Sequence, residues 1–126
     1  MPRPVHFEIH ATDPEKAAAF YRKVFDWTFQ HMPQIDYWLI DTGPGEGING
    51  GMMKRIGPTA PDGAAVNAYV VTIGVSAIDT YLKRAVEAGA TIALPKTAIP
   101  QVGWQVYVKD PDGNIFGIHE PDANAK

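Results

Sequence analysis

The sequence predicts an α+β protein built from two βαβββ units, and three observations predict it. A strand–helix–three-strand order occurs twice, the copies starting about 64 positions apart. Each helix follows an alternating strand at a recognisable capping signal. Between the copies lies "GPTAPDGAAVN", rich in Pro, Gly and Ala and without apolar periodicity, which reads as a connector. The expected organisation is one domain over residues 1–126, with a first unit at about 3–56, a linker at about 57–66 and a second unit at about 67–121.

"PVHFEIHAT" alternates, with Val5, Phe7 and Ile9 on one face and His6, Glu8 and His10 on the other, as a half-buried strand does. In "DPEKAAAFYRKVF", Asp13 suits the N-cap, Pro14 the first helical position, and Glu15 the positive end of the helix dipole. Ala17, Phe20, Tyr21, Val24 and Phe25 recur at helical spacing as a buried stripe. "WTFQHM", "DYWLIDTG" and "INGGMMKRI" follow as short strands. Trp38 and Trp104 are expected in the core and His31 at the surface.

The pattern then restarts. "AYVVTIGVS" (68–76) reads as a strand with Val71, Ile73 and Val75 on one face. "SAID" resembles a capping box, with Ser76 as cap and Asp79 three residues on, and Gly89 stops the helix at C′. "TIALPK", "VGWQVYVK" and "NIFGIHE" are three further strands. Asp110-Pro111-Asp112-Gly113 joins the last two, with Pro at turn position i+1 and Gly free to take a positive φ. A βαβββ unit cannot close a core alone, so its sheet needs a second one.

Composition removes several functions. Net charge is −3 with no basic run, against a nucleic-acid or anionic-membrane surface. No stretch approaches the roughly 18 apolar residues of a membrane span, and the N-terminus lacks a signal peptide's apolar core, so a cytoplasmic location is expected. Cysteine is absent, excluding thiol nucleophiles and Cys-based metal sites, and the sole serine, Ser76, is assigned to a cap. "GEGING" formally matches G-x-G-x-x-G but is followed by "GMMKRIGPTAPDG", which cannot open a helix onto a pyrophosphate. It reads as a flexible hairpin.

"HFEIHATDPEKAAAFYRKVFDW", "VSAIDTYLKRAVEAGATIALPKT" and "VYVKDPDGNIFGIHE", in this order and spacing, resemble the vicinal-oxygen-chelate superfamily, the glyoxalase/bleomycin-resistance/extradiol-dioxygenase-like proteins. More narrowly, "GINGG", "PKTAIPQVGW" and "DPDGNIFG" look like the short bacterial glyoxalase-like members. The resemblance implies a curled mixed sheet with a central cleft, and in enzymatic members a divalent metal held by His and Glu from both units. The family's first-strand ligand falls on His6. Its other ligand positions fall on Gly51, Val70 and Gly117, so one of four survives. A catalytic metal of this class needs about three or four N/O protein ligands.

The resemblance and the strand parities together give the expected ligand-contacting residues. His6 and Glu8 come from the first strand, and Val70 and Thr72 from the fifth. Gln105 and Tyr107 come from the seventh, and Ile115, Gly117 and His119 from the eighth. Gly117 and the Gly50-Gly51 pair are expected to leave open volume. The expected function is binding of a small, mainly apolar ligand with no cofactor and no metal. The alternative is a lactoylglutathione-lyase-like lyase or isomerase, or a dioxygenase-like enzyme, with a reduced metal site or one relocated to His6, Glu8 and His119. Acid–base chemistry by His6 and Glu8 without metal is a further form of it. The expected partners are the small molecule and a second copy in a homodimer, with neither nucleic acid nor membrane.

Overall fold

A computed structural model describes residues 2–126. The chain divides into two compact units, Met1–Thr59 and Ala60–Lys126. Each holds one helix and one four-stranded mixed sheet, so the α+β class and the repeated βαβββ order are as the sequence predicts.

The first unit runs β1 (Phe7–Ala11), α1 (Pro14–Phe25), β2 (Thr28–Met32), β3 (Tyr37–Asp41) and β4 (Gly50–Lys54). Its sheet order is β1-β4-β3-β2, with β1 parallel to β4 and the other pairs antiparallel. Asp13 caps α1 by accepting from the Lys16 amide at 3.2 Å, and Pro14 occupies the first turn. Asp26 closes the helix in the left-handed region, its amide returning to Arg22. The apolar stripe of α1 buries Ala17, Phe20, Tyr21 and Val24. The sheet face towards it carries Ala11, Met52, Trp38 and Ile40, all buried. Trp38 marks that face, donating its indole N–H to Glu15 of α1 at 3.3 Å. Trp27 stacks on Tyr21 and Phe25 at 5.2 and 5.4 Å and completes this core. Val5, expected in the buried row, precedes β1 and is 79% exposed. His31 is exposed and bound to Asp36.

The second unit runs β5 (Thr72–Gly74), α2 (Ile78–Glu87), β6 (Thr91–Ile99), β7 (Gly103–Lys109) and β8 (Ile115–Pro121), in sheet order β5-β8-β7-β6. Val106, Val108, Phe116 and Ile118 alternate onto its buried face, with Ile78 and Ala85 from α2. Trp104 is half-buried there, with its indole N–H on Asp122. The 110–113 turn forms as expected. Gly113 has φ +84° and its amide returns to the Asp110 carbonyl, while the buried Asp110 carboxylate accepts from the Asp112 and Asn114 amides.

Two local expectations fail in this unit. The fifth strand is three residues long rather than 68–76, because its ladder with β8 runs only from Thr72↔Gly117 to Gly74↔His119. Ser76 does not cap α2. The helix has Ala77 at its N-cap without a side-chain bond, and the Glu120 carboxylate of β8 accepts from the Ile78 amide at 2.8 Å. A carboxylate at this place satisfies a free N–H and the helix dipole together, which a serine hydroxyl does less strongly. Gly89 follows the Ala88 C-cap with φ +110°, as predicted.

Candidate functional site

In each unit the sheet face opposite the buried row is polar, and register builds it. On the first sheet, Glu8 sits beside Gly51, Gly51 beside Leu39, and Leu39 beside Gln30. The flanking row runs His10, Met53, Tyr37, Met32. Tyr37 leans diagonally out of its row. Its hydroxyl donates to Glu8 Oε1 at 3.0 Å and contacts His6 Nε2 at 2.8 Å. His10 Nε2 meets the other Glu8 oxygen at 2.8 Å. One carboxylate thus holds an imidazole and a phenol directly, and a second imidazole through the phenol.

The charge distribution follows from these bonds. The hydrogen bond from His10 holds the Glu8 carboxyl below its ordinary value against partial desolvation, and the Tyr37 bond and the neighbouring imidazoles add to it. Tyr37 is pushed up to about 12, first by burial, then by its bond to Glu8 and the charge there. Near neutral pH, Glu8 is therefore an ionised acceptor and Tyr37 a protonated donor.

The second sheet repeats the arrangement with other side chains. Thr72 sits beside Gly117, Gly117 beside Tyr107, and His119 beside Gln105. Gln105, in the position that corresponds to Tyr37, is buried and leans over Gly117. Its amide nitrogen reaches Thr72 Oγ1 at 3.4 Å, and its carbonyl oxygen lies 2.9 Å from His119 Nδ1. The amide oxygen can only accept, so His119 carries its proton on Nδ1. Tyr107, Ile115 and His119 are half-buried.

The expected open volume at the glycines is absent. A Cβ at Gly51 would overlap the Tyr37 ring and hydroxyl. A Cβ at Gly117 would fall 2.5 Å from Gln105 Nε2 and 2.9 Å from Thr72 Oγ1. The parity expected for Thr72, Gln105, Tyr107, Gly117 and His119 is correct, and the space is filled by neighbours. Val70 lies ahead of β5, 38% exposed, rather than in the strand. Sequence reasoning missed Tyr37, the centre of the first array. A tyrosine opening a strand whose neighbour carries Gly-Gly was the available signal, but only the register shows that the ring crosses the glycine.

A family-type metal does not fit these residues. Two of the positions where the resemblance puts ligands are glycines, covered by Tyr37 and by Gln105 with Thr72. Among the described residues no three His, Cys, Asp or Glu side chains group so as to hold a metal ion. Among them, too, no helix is long and apolar enough to cross a membrane.

Residues 3–43 match the family model for the bleomycin resistance protein-like N-terminal region. No curated protein matches the chain in sequence. Solved structures do match in fold. A glyoxalase-related enzyme from Fulvimarina pelagi is similar at 21% identity and TM-score 0.70, over 100% of this chain and 98% of that one. TioX from Micromonospora sp. ML1 is similar at 24% identity and TM-score 0.70, over 96% and 100%. The fosfomycin resistance protein FosX from Listeria monocytogenes, solved with Mn(II) and sulfate, is similar at 15% identity and TM-score 0.74, over 97% and 92%. The resemblance carried by the sequence is thereby borne out: the chain has the fold of the vicinal-oxygen-chelate superfamily, the glyoxalase/bleomycin-resistance/dioxygenase-like proteins.

Proposed function

We propose that this protein binds a small, mainly apolar molecule without a metal ion, using the polar sheet faces described above. The observation that supports this most directly is the pair of covered glycines. Where the resemblance puts metal-binding side chains, the chain has Gly51 under the Tyr37 hydroxyl and Gly117 under the Gln105 amide. What remains on each face is a few bonded polar groups among apolar ones, such as Leu39 and Met53 on the first sheet and Ile115 on the second. That mixture is the usual make-up of a small-molecule site.

A thermal-shift screen of uncharged and singly charged organic molecules, run in excess chelator, tests the reading. At least one compound class is expected to raise the melting temperature, and its affinity is expected to fall at least tenfold in His119→Ala or Glu8→Gln. Stabilisation that appears only when Mn, Ni or Zn is added would replace this reading with a metal-dependent one.

A further inference from the structure

Counting protons through the first array shows what it can still accept. Glu8 is ionised and can only receive hydrogen bonds. The single phenolic proton of Tyr37 goes to Glu8 Oε1. The 2.8 Å contact between His6 Nε2 and the same hydroxyl therefore requires His6 to donate, which fixes its Nε2–H tautomer. His10 Nε2, 2.8 Å from Glu8 Oε2, must donate as well. These N–H and O–H groups all point inward along the chain of bonds that ends on Glu8. What is left, with the imidazoles in these tautomers, is acceptor capacity, namely the remaining lone pairs of the carboxylate and Nδ1 of His6.

The surroundings have the same sense. Asp41 lies on this face at the far end of β3, and no strand residue on the face is a lysine or arginine. Arg55, just beyond β4, places its guanidinium on the His10 carbonyl at 3.0 Å. Leu39, 44% exposed, lies across Gly51 from Glu8, and Met53 flanks it. Without a Cβ at 51, the backbone between Glu8 and Leu39 carries only the Tyr37 ring.

We infer that the first sheet's face binds an organic ammonium ion: a protonated amine that gives its N–H groups to Glu8 and His6 and lays an apolar body over Leu39 and Met53. This rests on the reading of that face as ligand-binding and names the ligand's chemical class. An anionic ligand would meet lone pairs and a carboxylate. A neutral alcohol could donate only one proton and would gain nothing from the charge.

Three probes of one shape and different charge decide it: 2-phenylethylammonium, 2-phenylethanol and 3-phenylpropionate, each titrated at pH 7.5 into 15N-labelled protein and followed at the backbone amides of Glu8, Leu39 and Gly51. The ammonium is expected to bind at least tenfold more tightly than the alcohol, and the carboxylate more weakly than either. In Glu8→Gln the preference for ammonium over alcohol is expected to shrink to within about twofold. The wild-type ranking decides the matter even if that variant does not fold. Equal binding of alcohol and ammonium, or preference for the carboxylate, overturns the inference and leaves the apolar-ligand reading standing. If no probe moves those amides, both fall for this face.

Discussion

The hydroxyl of Tyr37 lies where the side chain of residue 51 would begin, and only a glycine at 51 permits it. The phenol reaches Glu8 and His6 by crossing this gap. Gly51→Ala is therefore expected to push the Tyr37 ring aside, break its bonds to Glu8 and His6, and destabilise the protein by about 1 kcal/mol, the usual net worth of such bonds. Paired with Tyr37→Ala, the loss should be clearly less than the sum of the two single losses, because the double variant removes the clash. Gly74→Ala is the control, since a Cβ there meets nothing within 4 Å. Urea denaturation of the variants measures this. Additive losses at 51 and 37 would mean the two positions do not share the space.

Tyr37 and Glu8 also contribute to the pH dependence of stability. Glu8 is depressed below 4.5 in the folded chain, so its contribution is complete above that value and is lost as pH falls through the folded value. Tyr37 is raised from 10.0 to about 12, so its contribution is complete below pH 10 and is lost as pH rises towards 12. Glu8→Gln should flatten part of the acid limb and Tyr37→Phe part of the alkaline limb. Denaturation midpoints across the pH range test both. A variant whose limb superimposes on that of the wild type would show that its group is not coupled to folding.

The helix entry points show what one sequence can and cannot disclose. Asp13 was legible as a cap because cap and helix are adjacent, and the period-two rows of β1, β7 and β8 were legible for the same local reason. Glu120 was not legible as the cap of α2, because the contact joins residues 42 apart and depends on how β8 lies against α2. Tyr37 escaped for a similar reason: its role comes from the β3–β4 register and a diagonal reach, neither of which periodicity encodes. The resemblance drew attention to the glycines, but an absent side chain in a sequence says nothing about which neighbour fills the gap.

The α2 cap is directly testable. Glu120→Ala should lower stability by about 1 kcal/mol, typical of losing a helix cap, and Glu120→Gln by less, since the amide oxygen still accepts. Ser76→Ala should change little, because the structure gives that hydroxyl no capping bond. Thermal melts rank the three. A Ser76→Ala loss equal to that of Glu120→Ala would restore the serine as the cap.

The resemblance also implies pairing with a second copy, and β6 exposes Ile92 at 51% and Leu94 at 59%. Light scattering at micromolar concentration is expected to give twice the 13.7 kDa chain mass. A mass equal to one chain would exclude the homodimer under those conditions.

Metal content tests the metal-free reading directly. Beside Glu8 a divalent ion would find Gly51, which offers no side-chain ligand and lies under the Tyr37 ring. Protein prepared without an affinity tag is expected to hold well under one equivalent of Zn, Ni, Fe and Mn together by elemental analysis. Calorimetric titration with Mn(II) or Ni(II) should give no stoichiometric site. If a full equivalent appears, the place of the site can be read from variants. Loss with His119→Ala but not with Tyr37→Phe would point to an unorthodox site using His119. A gain in affinity with Tyr37→Phe would mean that the phenol had been competing with the ion for Glu8.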